Sequence, residues 1–194
     1  IAIGQILGLL QHTAKPFKAP VEGVLDADWL HDYAQASRLA FADRAQYVAD
    51  PDFVEAPAGD WRSLLDPAYL KLRAQLMGPT SLKQTPAGIP LRAQSSAYGP
   101  MPYQAEFGTS HISIIDAYGN ALAMTTTIEN AFGARQMVRG FLLNNELTDF
   151  SFVPRDAQGR PIANRVQANK RPRSSMSPTL VFDKATGELL MSTG

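Results

Sequence analysis

The sequence predicts an α+β protein whose helices come first and whose strands come last. Three observations predict it. Apolar residues recur at steps of three and four ahead of Gly78, apolar and polar residues alternate from His111 onward, and a Pro- and Gly-punctuated stretch lies between. Helices followed by hairpins suggest helices layered on antiparallel sheet.

The opening run Ile1 to Leu10 is apolar, contains Gly4 and Gly8, and is too short to span a bilayer. It lacks the basic start and small-residue cleavage site of a signal peptide. Apolar residues at both ends of the chain suggest a fragment of a larger protein. After Gly23, residues Asp28 to Val48 place Leu30, Tyr33, Ala34, Ser37, Phe41, Ala45 and Val48 on one stripe of a long helix, closed by Asp50-Pro51. Asp66 reads as an N-cap with Pro67 at the first helical position, opening a helix through Leu70, Ala74 and Met77 that stops at Gly78-Pro79. From Thr80 to Phe107 the periodicity vanishes, and Pro86, Pro90, Pro100 and Pro102 mark a long irregular connector of the kind that is usually functional or disordered. Then His111 to Ile115, the turn Asp116 to Asn120, and Ala121 to Ile128 read as a hairpin. Thr179 to Phe182, the turn Asp183 to Gly187, and Glu188 to Ser192 read as another.

Composition narrows the function. The 194 residues hold 18 Lys plus Arg and 18 Asp plus Glu, so no net field favours nucleic acid or an anionic membrane. The basic cluster Lys170-Arg171-Pro172-Arg173 is short and interrupted by Pro, too little for a nucleic-acid footprint. Without cysteine there is no disulfide, thiolate metal site or cysteine nucleophile. His12, His31 and His111 show no metal-ligand spacing, so no metal or other cofactor is expected.

Gly108-Thr109-Ser110-His111 is the chemical focus. A Thr hydroxyl is a weak nucleophile unless a base stands beside it. If the bond before Thr109 is cut, the freed α-amine, with an ordinary pKa of about 7.7–8.0, is held close to its own hydroxyl and can take its proton. The setting suits self-cleavage: an irregular connector ends at Gly108, and a small hydroxyl residue opens a strand. By itself that pattern is weak, because Thr at the head of a strand usually only favours the pleat.

Longer motifs carry a resemblance. Gly108 to Asp116 followed by Tyr118-Gly119-Asn120, then Thr125 to Gly133, Gly140 to Ser151, and Asn169 to Thr179 together resemble the start of the small subunit of gamma-glutamyltranspeptidases. Ala36 to Arg44 and Asp50-Pro51-Asp52-Phe53 resemble the end of that family's large subunit, so the resemblance runs along essentially the whole chain.

The resemblance implies an N-terminal nucleophile hydrolase with an αββα sandwich, only partly contained in this chain. Residues 1–108 would be the C-terminal part of the large subunit and residues 109–194 the start of the small catalytic one. The implied activity is that of a zymogen that cuts itself between Gly108 and Thr109. It then transfers or hydrolyses gamma-glutamyl groups from glutathione or related donors through an ester on Thr109, passing them to water, an amino acid or a peptide. Thr127 matches the Thr whose hydroxyl assists the nucleophile and processing. Glu129, Glu146 and Asp149 match positions that hold the donor's α-amino group, which needs acceptors and negative charge. The better-known pattern has Asn and Gln where Glu129 and Glu146 stand. Ser174 and Ser175 match the pair that receives the α-carboxylate. Lys170 and Arg171 are expected to brace that loop, and His111 is expected to be structural. The family's carboxylate-binding Arg would lie ahead of Ile1 and its Gly-Gly oxyanion hole beyond Gly194, so these residues alone are expected to be inactive. By analogy with bacterial members the location would be periplasmic or secreted. Two alternatives stand beside this reading: an acylase of the same family that prefers a glutaryl side chain, and a non-catalytic relative.

Overall fold

A computed structural model describes residues 1–13, 18–105 and 108–194. They form two compact units, residues 1–103 with 151–171, and residues 104–150 with 172–194.

The first unit is built on three helices: α1 (Ala2–Leu10), α2 (Ala27–Tyr47) and α3 (Pro67–Ala74). Asp26 caps α2 by accepting from the amides of Asp28 and Trp29, and Asp66 caps α3 by accepting from those of Ala68 and Tyr69. Pro67 at the first position of α3 forfeits no bond, since that amide has no partner inside the helix. The α3 helix ends at Ala74, short of Met77, and its trailing turn is held by α2: Gly78 donates its amide to Gln35 Oε1 (3.1 Å) while Gln35 Nε2 and His31 Nε2 each donate to the Gly78 carbonyl (2.8 Å). Ile6 and Leu9 of α1, Ala36, Leu39, Ala40 and Tyr47 of α2, and Leu64, Tyr69 and Leu70 make the core. Gly8 permits the close approach of α1 to α3, because a Cβ there would lie 2.5 Å from Leu70 Cδ1.

The buried face of α2 is not the stripe expected from apolar periodicity. Leu30, Tyr33 and Phe41 are 44%, 43% and 48% exposed, while the helix buries Gln35, Ala36, Leu39, Ala40, Asp43, Arg44, Gln46 and Tyr47. The reason is a polar hub. Asp43, almost fully buried, accepts from Gln5 Nε2 (2.7 Å), Tyr69 Oη (2.6 Å), Arg73 Nη2 (3.1 Å) and the Gly88 amide (2.8 Å). A buried carboxylate needs such partners, and satisfying them turned the helix. Burial, together with the neighbouring Asp43 carboxylate, pushes the Tyr69 phenol far above its usual range.

The connector expected over 80–107 is described as far as residue 105 and contains no helix or strand, as expected, but it is stapled to α2. Tyr47 Oη donates to the Gly88 carbonyl (2.6 Å), Gln46 Nε2 to that of Tyr98 (2.5 Å), and the Met101 amide to that of Ala45 (2.9 Å). Residues 106 and 107 lie outside the described residues. Arg171 holds Asp50 and Asp52 at 2.6 Å each, and its guanidinium keeps the Asp50 carboxyl well below the usual carboxylate range. Lys170 Nζ reaches the Ala163 carbonyl and Gln167 Oε1. Both basic side chains are thus committed to protein groups of the first unit.

The second unit contains three antiparallel pairs: β1 (Ser110–Ile115) with β2 (Ala121–Thr126), β3 (Met137–Val138) with β4 (Phe141–Leu142), and β5 (Thr179–Phe182) with β6 (Leu189–Thr193). The first and last are the two expected hairpins. Asp116 closes the β1–β2 turn by accepting from the amides of Tyr118 (2.9 Å) and Asn120 (2.8 Å). Ser113 Oγ donates to the Ser192 carbonyl (3.2 Å) and Ser192 Oγ to that of Leu122 (3.1 Å), tying β6 to the β1–β2 pair.

Candidate active site

The register of the first hairpin sets the site. Ser110 pairs with Thr126, so Gly108 and Thr109 lie beside the residues that follow β2. Thr127 is the link. Its hydroxyl accepts from the Glu129 amide (2.8 Å) and donates toward the Gly108 carbonyl at 3.4 Å, long for a hydroxyl bond. The carbonyl of the bond expected to break is therefore already faced by a donor. A cleft of about 380 Å³ opens here, lined by Gly108, Thr109, Thr126, Thr127 and Glu129 among others.

Behind Thr127 the chain folds back on itself. Glu129 adopts φ +69°, unfavourable for a side chain other than Gly or Asn, and Gly133 at φ +52° has no room for a Cβ, which would lie 2.1 Å from the Leu143 carbonyl oxygen. The Ala134 amide donates to that same oxygen (2.9 Å), the Asn130 amide to Asn145 Oδ1 (3.0 Å), and the Asn145 amide to the Ile128 carbonyl (3.3 Å). These bonds lay the segment after β2 against the 3-10 turn Glu146–Asp149.

That folding gathers the three acids. Thr148 Oγ1 contacts Glu129 Oε1 at 3.2 Å, and Asn145 Nδ2 donates to Thr148 Oγ1 at 3.2 Å. Glu129 is buried, and Glu146 Oε1 is buried with no hydrogen-bond partner among the described residues. Burial raises the Glu146 carboxyl above its ordinary pKa, and the charges of Asp149 and Glu129 raise it further. Neighbouring acids with an unsatisfied buried oxygen suit a cation with N–H donors.

His111 is a structural residue in this geometry. Ser113 Oγ spends its proton on the Ser192 carbonyl, so His111 Nε2 donates to Ser113 Oγ (3.1 Å), and Nδ1 accepts from Thr125 Oγ1 (2.8 Å). The ring also lies under Gly194, where a Cβ would be 2.3 Å from Cε1. Ser174 and Ser175 are exposed and do not line the cleft; Ser174 Oγ accepts from the Met176 amide (3.1 Å). The structure brings Gly108, Thr109, Thr127 and Glu129 to one cleft, and sets Glu146 and Asp149 beside Glu129. It does not bring the Ser pair to that cleft. Asn145 and Thr148, which organise the acids, were not singled out in the sequence, although both lie in the Gly140 to Ser151 motif. Their type was the available signal, since Asn and Thr commonly bond to nearby backbone. Among the described residues no group of His, Asp or Glu is arranged for a metal ion, and no helix is long and apolar enough to cross a membrane.

Comparison with known proteins agrees with the motifs. The sequence model of the gamma-glutamyltranspeptidase family matches residues 1–194. The chain is 39% identical over 199 residues to the glutathione hydrolase proenzyme of Pseudomonas aeruginosa, covering 100% of this chain and 33% of that protein. It is 42% identical over 157 residues to the glutathione hydrolase proenzyme of Bacillus subtilis, covering 77% of this chain and 25% of the relative. The chain thus spans a quarter to a third of the length of these curated relatives. Among solved structures, cephalosporin acylase from Bacillus halodurans superposes with a TM-score of 0.64 at 20% identity, over 90% of this chain and 27% of the acylase, which shows a shared fold. With the family's model matched from end to end and its proenzymes aligned along the chain, the protein belongs to the gamma-glutamyltranspeptidase family.

Proposed function

We propose that these residues are the subunit junction of a self-cleaving gamma-glutamyl transferase and hydrolase, with residues 1–108 ending the large subunit and residues 109–194 opening the small one. The observation that supports it best is the Thr127 hydroxyl, placed between the Gly108 carbonyl and the backbone of an acid of the cluster. In self-cleavage Thr109 Oγ attacks the Gly108 carbonyl carbon, the C–N bond breaks as the nitrogen takes the hydroxyl proton, and water hydrolyses the resulting ester. Thr127 polarises the carbonyl as its oxygen gains charge.

The freed Thr109 amine then serves as base for its own hydroxyl. Oγ attacks the gamma-glutamyl amide of glutathione or a similar donor, forms a gamma-glutamyl ester, and the amine product leaves. Water, an amino acid or a peptide takes the acyl group. Glu129, Glu146 and Asp149 hold the donor's ammonium. Ser174 and Ser175 receive its carboxylate, a role that calls for the loop to approach the cleft. Oxyanion donors and a carboxylate-binding Arg come from parts of the precursor beyond these residues, and without such donors about 10²–10³ in rate is lost for each. Export to the periplasm or medium belongs to the same proposal, supported by the bacterial relatives.

The test compares release of aniline from gamma-glutamyl and glutaryl anilides by the purified precursor, with N-terminal sequencing. Gamma-glutamyl preference and a new chain beginning at Thr109 are expected. A strong glutaryl preference would establish the acylase alternative, and a lone original N-terminus the non-catalytic one.

Glu146 gives the donor site a pH dependence. Its raised pKa means that it takes a proton at a higher pH than an ordinary carboxyl, and the ammonium site loses negative charge at that point. The KM for a gamma-glutamyl donor is therefore expected to rise as pH falls, beginning at a higher pH than the ordinary Glu carboxyl range would give. Glu146→Gln should flatten that rise and weaken donor binding about tenfold, consistent with a charged hydrogen bond lost. A wild-type KM profile that the substitution leaves unchanged would remove Glu146 from the site.

A further inference from the structure

Gln104 stands ahead of the Gly108–Thr109 bond, and its side-chain nitrogen uses both of its N–H donors. Nε2 donates to the carbonyls of Thr148 and Phe150, each at 2.9 Å. These carbonyls close the 3-10 turn Glu146–Asp149, where helical bonding leaves acceptors without partners. Phe150 is buried at 2% exposure, so its backbone is a fixed point. The chain is thus anchored before the bond by Gln104 and at the bond by Thr127.

We propose that Gln104 is a positioning residue for self-cleavage, holding the chain at residue 104 to the acid-bearing turn so that the Gly108 carbonyl meets the Thr127 and Thr109 hydroxyls. This rests on the self-cleavage reading above. An intramolecular attack succeeds only from a narrow range of geometries, and small misplacement of the reacting groups is costly. The side-chain chemistry is selective. Two N–H donors on one nitrogen suit two carbonyl acceptors, whereas an ionised Glu of the same size is acceptor-only and would repel both.

The experiment follows the appearance of the Thr109 N-terminus from purified uncut precursor by intact mass, for wild type, Gln104→Ala, Gln104→Glu and Thr109→Ala. Both Gln104 variants are expected to cleave about tenfold more slowly than wild type, as for the loss of two modest hydrogen bonds, while their thermal midpoints stay well above the assay temperature. Relative to wild type at each pH, Q104E should recover rate as the pH falls through the carboxyl range and its side chain gains an O–H donor, while Q104A should not. Wild-type cleavage rates in either variant, no acid recovery in Q104E, or slowing only where the midpoint falls to the assay temperature overturns the role of Gln104. A wild-type precursor that never yields Thr109, or a Thr109→Ala precursor that still cleaves there, overturns the cleavage reading instead.

Discussion

Replacing Thr109 with Ala is expected to leave one uncut chain and to abolish turnover. The loss combines two failures: without Oγ nothing attacks the Gly108 carbonyl, and nothing carries the acyl group afterwards. In hydrolases where nucleophile and base act as one unit, losing the nucleophile reduces kcat on the order of 10⁶-fold. In the proposed mechanism the base is the α-amine of the same residue, which stays locked in a peptide bond in the uncut chain and cannot compensate. Thr109→Ser keeps the hydroxyl and should still cleave and turn over, at reduced rate, because it lacks the methyl group that restricts the side-chain rotamer. Intact mass and an anilide assay on the same preparations measure both quantities. Substantial turnover by the Ala variant would mean that another residue is the nucleophile.

The largest stability effect is expected at Asp43. Removing one partner of a buried ion pair leaves the other charge stranded, at a cost of about 3–5 kcal/mol. Asp43→Ala strands Arg73, whose Nη2 also donates to the Leu39 (3.3 Å) and Pro86 (2.9 Å) carbonyls and whose Nε already lacks a partner among the described residues. It also orphans the Gly88 amide and Tyr69 hydroxyl, loosening the connector from α2. Combining Asp43→Ala with Arg73→Met should cost less than Asp43→Ala alone, because no buried cation is left unpaired. Urea unfolding of the four members of this cycle measures the coupling; a double variant less stable than Asp43→Ala would show that packing, and not stranded charge, dominates.

Asp43 also marks where sequence reading stops. The caps, hairpins and turns were legible because each is specified by neighbours: Asp66-Pro67 opens α3, and Asp116 to Asn120 closes β1 onto β2. The inward face of α2 was not, because apolar periodicity cannot register a helix that buries Asp43, Gln35 and Gln46 through hydrogen bonds to distant residues. The site divides in the same way. Motif positions named Thr109, Thr127 and the acids, and local backbone folding brings Thr109, Thr127 and Glu129 to one cleft. Gln104 escaped notice because its partners are Thr148 and Phe150, far along the chain, in a connector with no periodicity to read. Ser174 and Ser175 were named by motif alone, and their exposed loop supplies no geometry that would have singled them out.

Glu129 carries a conflict between conformation and charge. Its backbone sits at φ +69°, where Asn is comfortable and Glu is not. An Asn at this position would relax the turn and remove a negative charge from the acid cluster in one step. Conformational ease and electrostatic pull are therefore opposed at a single residue. Glu at this position holds the turn after β2 under tension, and local rigidity and the negative charge of the acid cluster can be retuned together by one substitution.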